Sequence, residues 1–247
     1  MQLIVRPSKR RLSGTITPPG DKSVSHRAAI LGGLAQGTTT IHGFLTAEDT
    51  LATLQAMADL GVQVERAAAE VQITGRGLHA PQHDLDLGNS GTGMRLLAGA
   101  LAGHPDLYGQ RLRLVGDESL SSRPMRRIIE PLTAMGADME GVDGHAPLTI
   151  RPRPLQARAH DLNIASAQVK SAILLAGLQA EGHTRVSEPG ISRDHTERML
   201  PAFGVELEAQ AQQVDMRGPQ ALQASTIQVP ADLSSAAFLI AAALLVP

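Results

Sequence analysis

Residues 20–27 read GDKSVSHR and run straight into AAILGGLA. Lys22 and Arg27 thus stand at the start of an apolar helix, where the helix dipole is already positive and Asp21 or Ser23 can serve as cap. Two cations at that end are unfavourable unless an anion joins them, so the spacing points to binding of a negatively charged group. Similar polar stretches recur. NSGTGMR (89–95), DESLSSRPMRR (117–127) and SAQVK (166–170) bring Arg95, Arg123, Gln168 and Lys170 to helix starts of the same kind.

Other chemistries fit less well. GDKS lacks the spacing of a nucleotide-binding phosphate loop, because Gly14 precedes Gly20 by six and Asp21 separates Gly20 from Lys22. GNSGTG (88–93) has glycines at the wrong spacing for a dinucleotide fingerprint. Ser23 and His26 share a helix face, but no acid stands in register to complete a nucleophilic triad. With no cysteine in the chain, disulfides, thiolate zinc sites and a thiol nucleophile are excluded. The nine histidines form no ligand pattern, so neither a metal nor a cofactor is expected. A net charge of −2 offers no general field for nucleic acid, and the binding site must be a local cluster.

These helix starts are positioned by a repeat. ADLGVQVE (58–65), TAMGADME (133–140) and PAFGVELE (201–208) each end a helix on a glycine and continue as a half-buried strand, with Gly61, Gly136 and Gly204 spaced by 75 and 68 residues. In step with them, KSVSHRAAILGGLAQG, NSGTGMRLLAGALAG, SAQVKSAILLAGLQAEG and LSSAAFLIAAALLVP open on Ser23, Ser90, Ser166 and Ser234, 67, 76 and 68 residues apart. Helices apolar on nearly all sides are buried ones. With aromatics at 2%, the core must be built from Leu, Ile, Val, Ala and Met. The expected fold is α/β: a pseudo-threefold globule with buried helices, outer sheets, and helix N-termini facing one way. A fourth unit begins, and its first helix has barely finished at Pro247. The N-terminus shows no signal segment, and AAFLIAAALLV is too short to span a bilayer, so a cytoplasmic protein is expected.

PPGDKSVSHR, LGNSGTGMR, DESLSSRPM, SAQVKSAILLAGL and SRDHTERML, in this order, resemble the 5-enolpyruvylshikimate-3-phosphate synthase family (3-phosphoshikimate 1-carboxyvinyltransferases), from about residue 5 onward. The sister UDP-N-acetylglucosamine enolpyruvyl transferases share the architecture, but they carry K-N-A-A-L-P where this chain has KSVSHR. The resemblance implies two globes of β-α-β-α-β-β units with substrates in the cleft between them. It assigns residues 20–230 to one complete globe, and an N-terminal strand over 1–19 together with 231–247 to the other, whose greater part lies outside this sequence. The implied reaction moves the enolpyruvyl group of phosphoenolpyruvate onto the 5-hydroxyl of shikimate 3-phosphate, in the shikimate pathway to aromatic amino acids. The chain would be the N-terminal part of such an enzyme, inactive alone, or a non-catalytic half that binds shikimate 3-phosphate; a second polypeptide could supply the missing globe.

The same resemblance implies roles for individual residues. Lys22, Ser23, Arg27, Ser166, Ala167 and Gln168 match positions that hold shikimate 3-phosphate, and Lys22, Gly91, Arg123 and Gln168 match those at phosphoenolpyruvate. Asn89, Thr92 and Arg95 support that loop, and Asp49 matches an acidic position by the cleft or caps its helix. The family's acid–base residues lie beyond Pro247, which leaves Lys22 as the electrostatic contributor here. Leu96 stands where many members have Pro, and Gly93 where others have Ala, which implies altered sensitivity to the inhibitor glyphosate. No role is carried to His195.

Overall fold

A computed structural model describes residues 14–67 and 70–245. The first unit comprises α1 (Lys22–Leu34), β1 (Gly37–His42), α2 (Glu48–Asp59), β2 (Gln63–Ala67) and β3 (Glu70–Gly75). The second comprises β4 (Leu85–Asp86), α3 (Gly91–Ala102), β5 (Leu112–Val115), α4 (Glu118–Ser121), α5 (Arg126–Ala134), β6 (Asp138–Val142) and β7 (His145–Arg151). The third holds β8 (Ala159–Asp161), α6 (Ala167–Gly177), β9 (Gly182–Ser187), α7 (His195–Met199), β10 (Glu208–Gln210) and β11 (Gln213–Gly218). β12 (Thr226–Gln228) and α8 (Leu233–Leu245) follow.

Among the described residues three four-stranded sheets result, β12-β1-β3-β2, β4-β5-β7-β6 and β8-β9-β11-β10. All share one order, with an edge strand parallel to its neighbour and two antiparallel pairs beyond. Units two and three take the parallel strand from the residues before their first helix. Unit one takes it from β12, paired Thr40 to Thr226, so the end of the third unit closes onto the first. Gly61, Gly136 and Gly204 all have φ between +83° and +96°, the left-handed conformation that ends each second helix and turns the chain into its strand.

The first helices lie inside. On α1 every residue from Val24 to Gly33 is buried, and α3 and α6 are nearly as enclosed. Their packing needs small residues: a Cβ on Gly99 of α3 would sit 2.2 Å from the Ala172 carbonyl oxygen of α6. The aromatic contribution to the core is limited to Phe44 and Phe203. Leu34, Gly103 and Leu178, at the C-terminal ends of the three helices, line one cavity, so α1, α3 and α6 run side by side with their N-termini together at the other end.

The caps differ from the serine register. Ser90 and Ser166 are N-caps, but α1 is capped by Asp21, which accepts the Val24 N–H at 2.8 Å and leaves Ser23 inside the helix. Asp232 does the same ahead of α8, accepting from Ser234 N–H at 2.8 Å. α8 departs from expectation in another way: none of its described residues is buried, because no described element covers it. The chain passes between Pro19 and Asp232 as two adjacent strands of backbone, with Asp21 N–H on Pro230 O and Asp232 N–H on Pro19 O, both 2.8 Å. The strand expected over residues 1–19 falls outside the described residues up to 13, and residues 14–19 form no strand.

Candidate functional site

α1 presents Lys22, Ser23 and Arg27 on successive turns. Lys22 Nζ contacts Asp49 Oδ2 at 3.1 Å. Asp49 does not cap α2, since Ala47 holds the cap position and Asp49 lies in the first turn, where its carboxylate reaches across to Lys22. That pair is open to solvent and worth little by itself, which leaves the ammonium available to a ligand. Arg27 is buried. It donates to Ser23 O at 3.0 Å, to Thr196 Oγ1 at 2.7 Å and to Ser171 Oγ at 2.7 Å. Burial lowers its pKa to about 10, with Glu197 and Asp21 opposing the shift and Arg193 adding to it. It is a full cation at neutral pH. His26, one turn from Ser23, points away to Thr53 at 2.9 Å and belongs to the α1–α2 packing.

α3 supplies the second group. Gly91 is where a Cβ would lie 3.0 Å from Arg123 Nη1 and 3.1 Å from Arg95 Nη1, so both guanidinium groups crowd the first turn of α3. Arg123 donates to the Asn89 carbonyl at 3.3 Å and to the Asn89 side-chain oxygen, while Asn89 Nδ2 donates to Asp117 Oδ2 at 2.7 Å. The Asp117 carboxyl is held below its usual range by Asn89 and by the Leu120 N–H it caps. Arg95 donates to Gln168 Oε1 at 2.7 Å, and Gln168 Nε2 donates to Thr92 Oγ1 at 2.9 Å. Burial, with Arg127 and Arg123 nearby, lowers the Arg95 pKa. Gly93 and Leu96 are buried behind this turn, Gly93 where a Cβ would meet Thr53 Oγ1 at 2.4 Å.

α6 joins the two groups. Its Gln168 belongs to the Arg95 cluster and its Ser171 to the Arg27 cluster. Ser166 caps the helix, and the N–H groups of Ala167 and Gln168 have no partner within it by helix geometry. Twelve residues singled out from the sequence (Lys22, Ser23, Arg27, Asp49, Asn89, Gly91, Thr92, Arg95, Arg123, Ser166, Ala167 and Gln168) therefore gather at the joined N-termini of α1, α3 and α6. Lys170 does not join them. It is buried beneath the site between Glu188 and Glu197. The sequence offered no signal for Ser171, Thr196 or Glu197 beyond their presence in matching motifs, and none for Glu188, which lies between two of those motifs. What the arrangement can do is bind anions: clustered guanidinium groups repel one another, and three positive helix ends face the same space.

The family described as EPSP synthase (3-phosphoshikimate 1-carboxyvinyltransferase) matches residues 6–247. A 3-phosphoshikimate 1-carboxyvinyltransferase of Brevibacillus brevis is 50% identical over 243 residues, covering 96% of this chain and 56% of the relative. One from Bacillus cereus is 48% identical, covering 98% and 57%. An EPSP synthase structure from Acinetobacter baumannii superposes with a TM-score of 0.88 at 48% identity, covering 95% of this chain and 53% of that one. The chain thus spans a little over half the length of the curated relatives it matches.

Proposed function

Since the chain belongs to the EPSP synthase (3-phosphoshikimate 1-carboxyvinyltransferase) family, we propose that it forms the half of such an enzyme that captures shikimate 3-phosphate and the phosphate end of phosphoenolpyruvate. The observation that carries this reading is the linkage of two cation clusters through α6, Arg27 by Ser171 and Arg95 by Gln168. Two phosphorylated carboxylates bound side by side need two such clusters.

In this reading Arg27, Ser166, Ala167 and Gln168 receive shikimate 3-phosphate, with Ser23 beside them. Gly91 and Arg123 receive the phosphate of phosphoenolpyruvate, and Lys22 leaves Asp49 to lie between the substrates. The 5-hydroxyl gives its proton to a base as its oxygen bonds to C2 of phosphoenolpyruvate, and an acid delivers a proton to the methylene carbon. The tetrahedral intermediate then expels phosphate as a base removes one of the three protons of the new methyl group, which restores the enol ether double bond. Fixed cations stabilise the negative charge at each stage. The acid–base groups come from outside these 247 residues, from further chain or from a second polypeptide. No described helix is long and apolar enough to cross a membrane, and the substrates are soluble metabolites, which favours a cytoplasmic location.

Calorimetry of this chain with shikimate 3-phosphate, beside a phosphate-release assay with both substrates, tests the proposal. Saturable binding without turnover is expected. Absence of binding would overturn the capture role, and turnover by the chain alone would overturn the claim that the acid–base groups lie elsewhere.

A further inference from the structure

Beneath the N-terminus of α6 lies a cluster of charges that the proposed chemistry does not use. Lys170, 5% exposed at its side chain, donates to Glu188 Oε2 at 2.7 Å and to Glu197 Oε1 at 2.6 Å, whose side chains are 1% and 5% exposed. The other oxygen of Glu188 accepts the backbone N–H of Ser166 at 2.7 Å, and Ser192 Oγ donates to Oε2, also at 2.7 Å. Burial alone would lower the Lys170 pKa and raise that of Glu188, but the hydrogen bonds that Lys170 donates to Glu188 and Glu197, and those that Glu188 accepts from Lys170, Ser192 and the Ser166 N–H, reverse both shifts, so Lys170 and Glu188 stay ionised.

The neighbouring hydroxyls extend the cluster to Arg27. Ser171 Oγ donates to the Ala167 carbonyl at 2.6 Å, so across its 2.6 Å contact with Thr196 it is Thr196 that donates. Both oxygens also accept from Arg27. Every proton in this chain then has one direction: Arg27 to Thr196 and Ser171, Thr196 to Ser171, Ser171 to Ala167. Ser166 is thus held from below by Glu188, and Ala167 by Ser171.

We propose that Lys170, Glu188 and Glu197 are positioning residues, whose buried ion cluster sets the Ser166–Ala167–Gln168 turn to receive a phosphate and registers it against Arg27. This rests on the assignment of that turn to shikimate 3-phosphate. Stability alone does not account for the cluster, because a buried ionic triad seldom stabilises more than apolar residues of the same volume. What apolar residues cannot supply is a charged acceptor, fixed by Lys170, on the N–H of Ser166. With that N–H engaged, the free N–H groups of Ala167 and Gln168 are directed to the ligand side.

Nuclear magnetic resonance of the ligand-free chain and calorimetry with shikimate 3-phosphate test the proposal together. In the unmodified chain, a coupling across the hydrogen bond should link the Ser166 amide to the Glu188 carboxyl carbon. In Glu188→Gln, whose single side-chain oxygen cannot serve both Ser166 and Lys170, the Ser166 amide proton should move upfield and exchange about tenfold faster. Affinity for shikimate 3-phosphate should fall by about tenfold or more. Glu197→Gln, which touches Lys170 but not Ser166, should disturb the Ser166 amide less. Absence of the coupling overturns the proposal even if the variants fail to fold, and so does an affinity in Glu188→Gln within about twofold of the parent. If the parent chain binds no shikimate 3-phosphate, the functional assignment fails, while the ligand-free amide data still decide whether Glu188 positions Ser166.

Discussion

At the scale of single residues, the sequence marks the groups that face the ligand better than those that hold them. Lys22, Arg27, Arg95, Arg123 and Gln168 stand in short local motifs, and all five reach the site. Their partners come from far along the chain: Arg27 meets Ser171 and Thr196 across 144 and 169 residues. No local pattern encodes such contacts, and Lys170 looked like another ligand cation for the same reason. Asp49 was open between a cap and a cleft acid, and the backbone of Ala47 decided it. His26 shows what the same surroundings do to a neutral side chain. Its pKa falls from 6.5 to about 4, chiefly through burial, with Asp49 opposing and Lys22 and Arg27 reinforcing. The unfolded chain therefore takes up a proton near pH 6.5 that the folded chain refuses until about pH 4. Stability from this residue is complete above pH 6.5 and is lost as the pH falls toward 4, by about 3 kcal/mol in all. His104, His160 and His195 shift in the same direction, so His26→Gln should flatten the acid limb of stability without abolishing it. Urea midpoints measured between pH 7 and 4.5 provide the check, and equal slopes in parent and variant would refute it.

At the scale of elements, the repeat was legible because each unit restates the same turn chemistry, a left-handed glycine after one helix and a capped polar start before the next. The identical strand order of the three sheets follows from that restatement. What the repeat hides is its closure, since β12 joins unit one through pairing with no counterpart in local pattern. The substitution of Asp21 for serine as the α1 cap was likewise undecided, because either residue can accept the free N–H groups. Contact between α3 and α6 is the element-level feature on which the site depends, since it holds Arg95 against Gln168. Gly99 permits it. In an isolated helix Gly→Ala gains up to about 1 kcal/mol, but here the new Cβ would lie 2.2 Å from the Ala172 carbonyl oxygen and 2.7 Å from its Cα. Backbone cannot step aside as a side chain does, so the clash outweighs propensity. Gly99→Ala is expected to destabilise the chain by about 1–3 kcal/mol in chemical denaturation. A variant as stable as the parent would show that the two helices can separate at no cost.

For the whole molecule, two surfaces contrast. One is the cation array at the joined helix N-termini, local enough to exist in a chain whose net charge is −2. The other is α8, which displays Leu233, Phe238, Leu239, Ile240, Leu244 and Leu245, with Phe238 84% and Leu244 80% exposed. Its composition resembles that of α1, α3 and α6, yet burial is a property of what surrounds a helix. Those three are enclosed by sheets and by one another, whereas none of the described elements covers α8. Contiguous apolar area of this kind attracts other apolar surfaces. The chain alone should therefore enhance the fluorescence of an apolar dye and scatter more light as its concentration rises. In the double variant Phe238→Ser, Leu244→Ser the dye signal should fall by at least about twofold. Because the hydrogen bonds of Arg27, Ser166 and Gln168 go to Thr196, Ser171, Glu188, Arg95 and Thr92 and not to α8, shikimate 3-phosphate affinity measured in the same samples should be unchanged. A dye signal that survives both substitutions would locate the sticky surface elsewhere, and a loss of affinity would mean that α8 and the anion site are coupled through the paired backbone of Pro19 and Asp232.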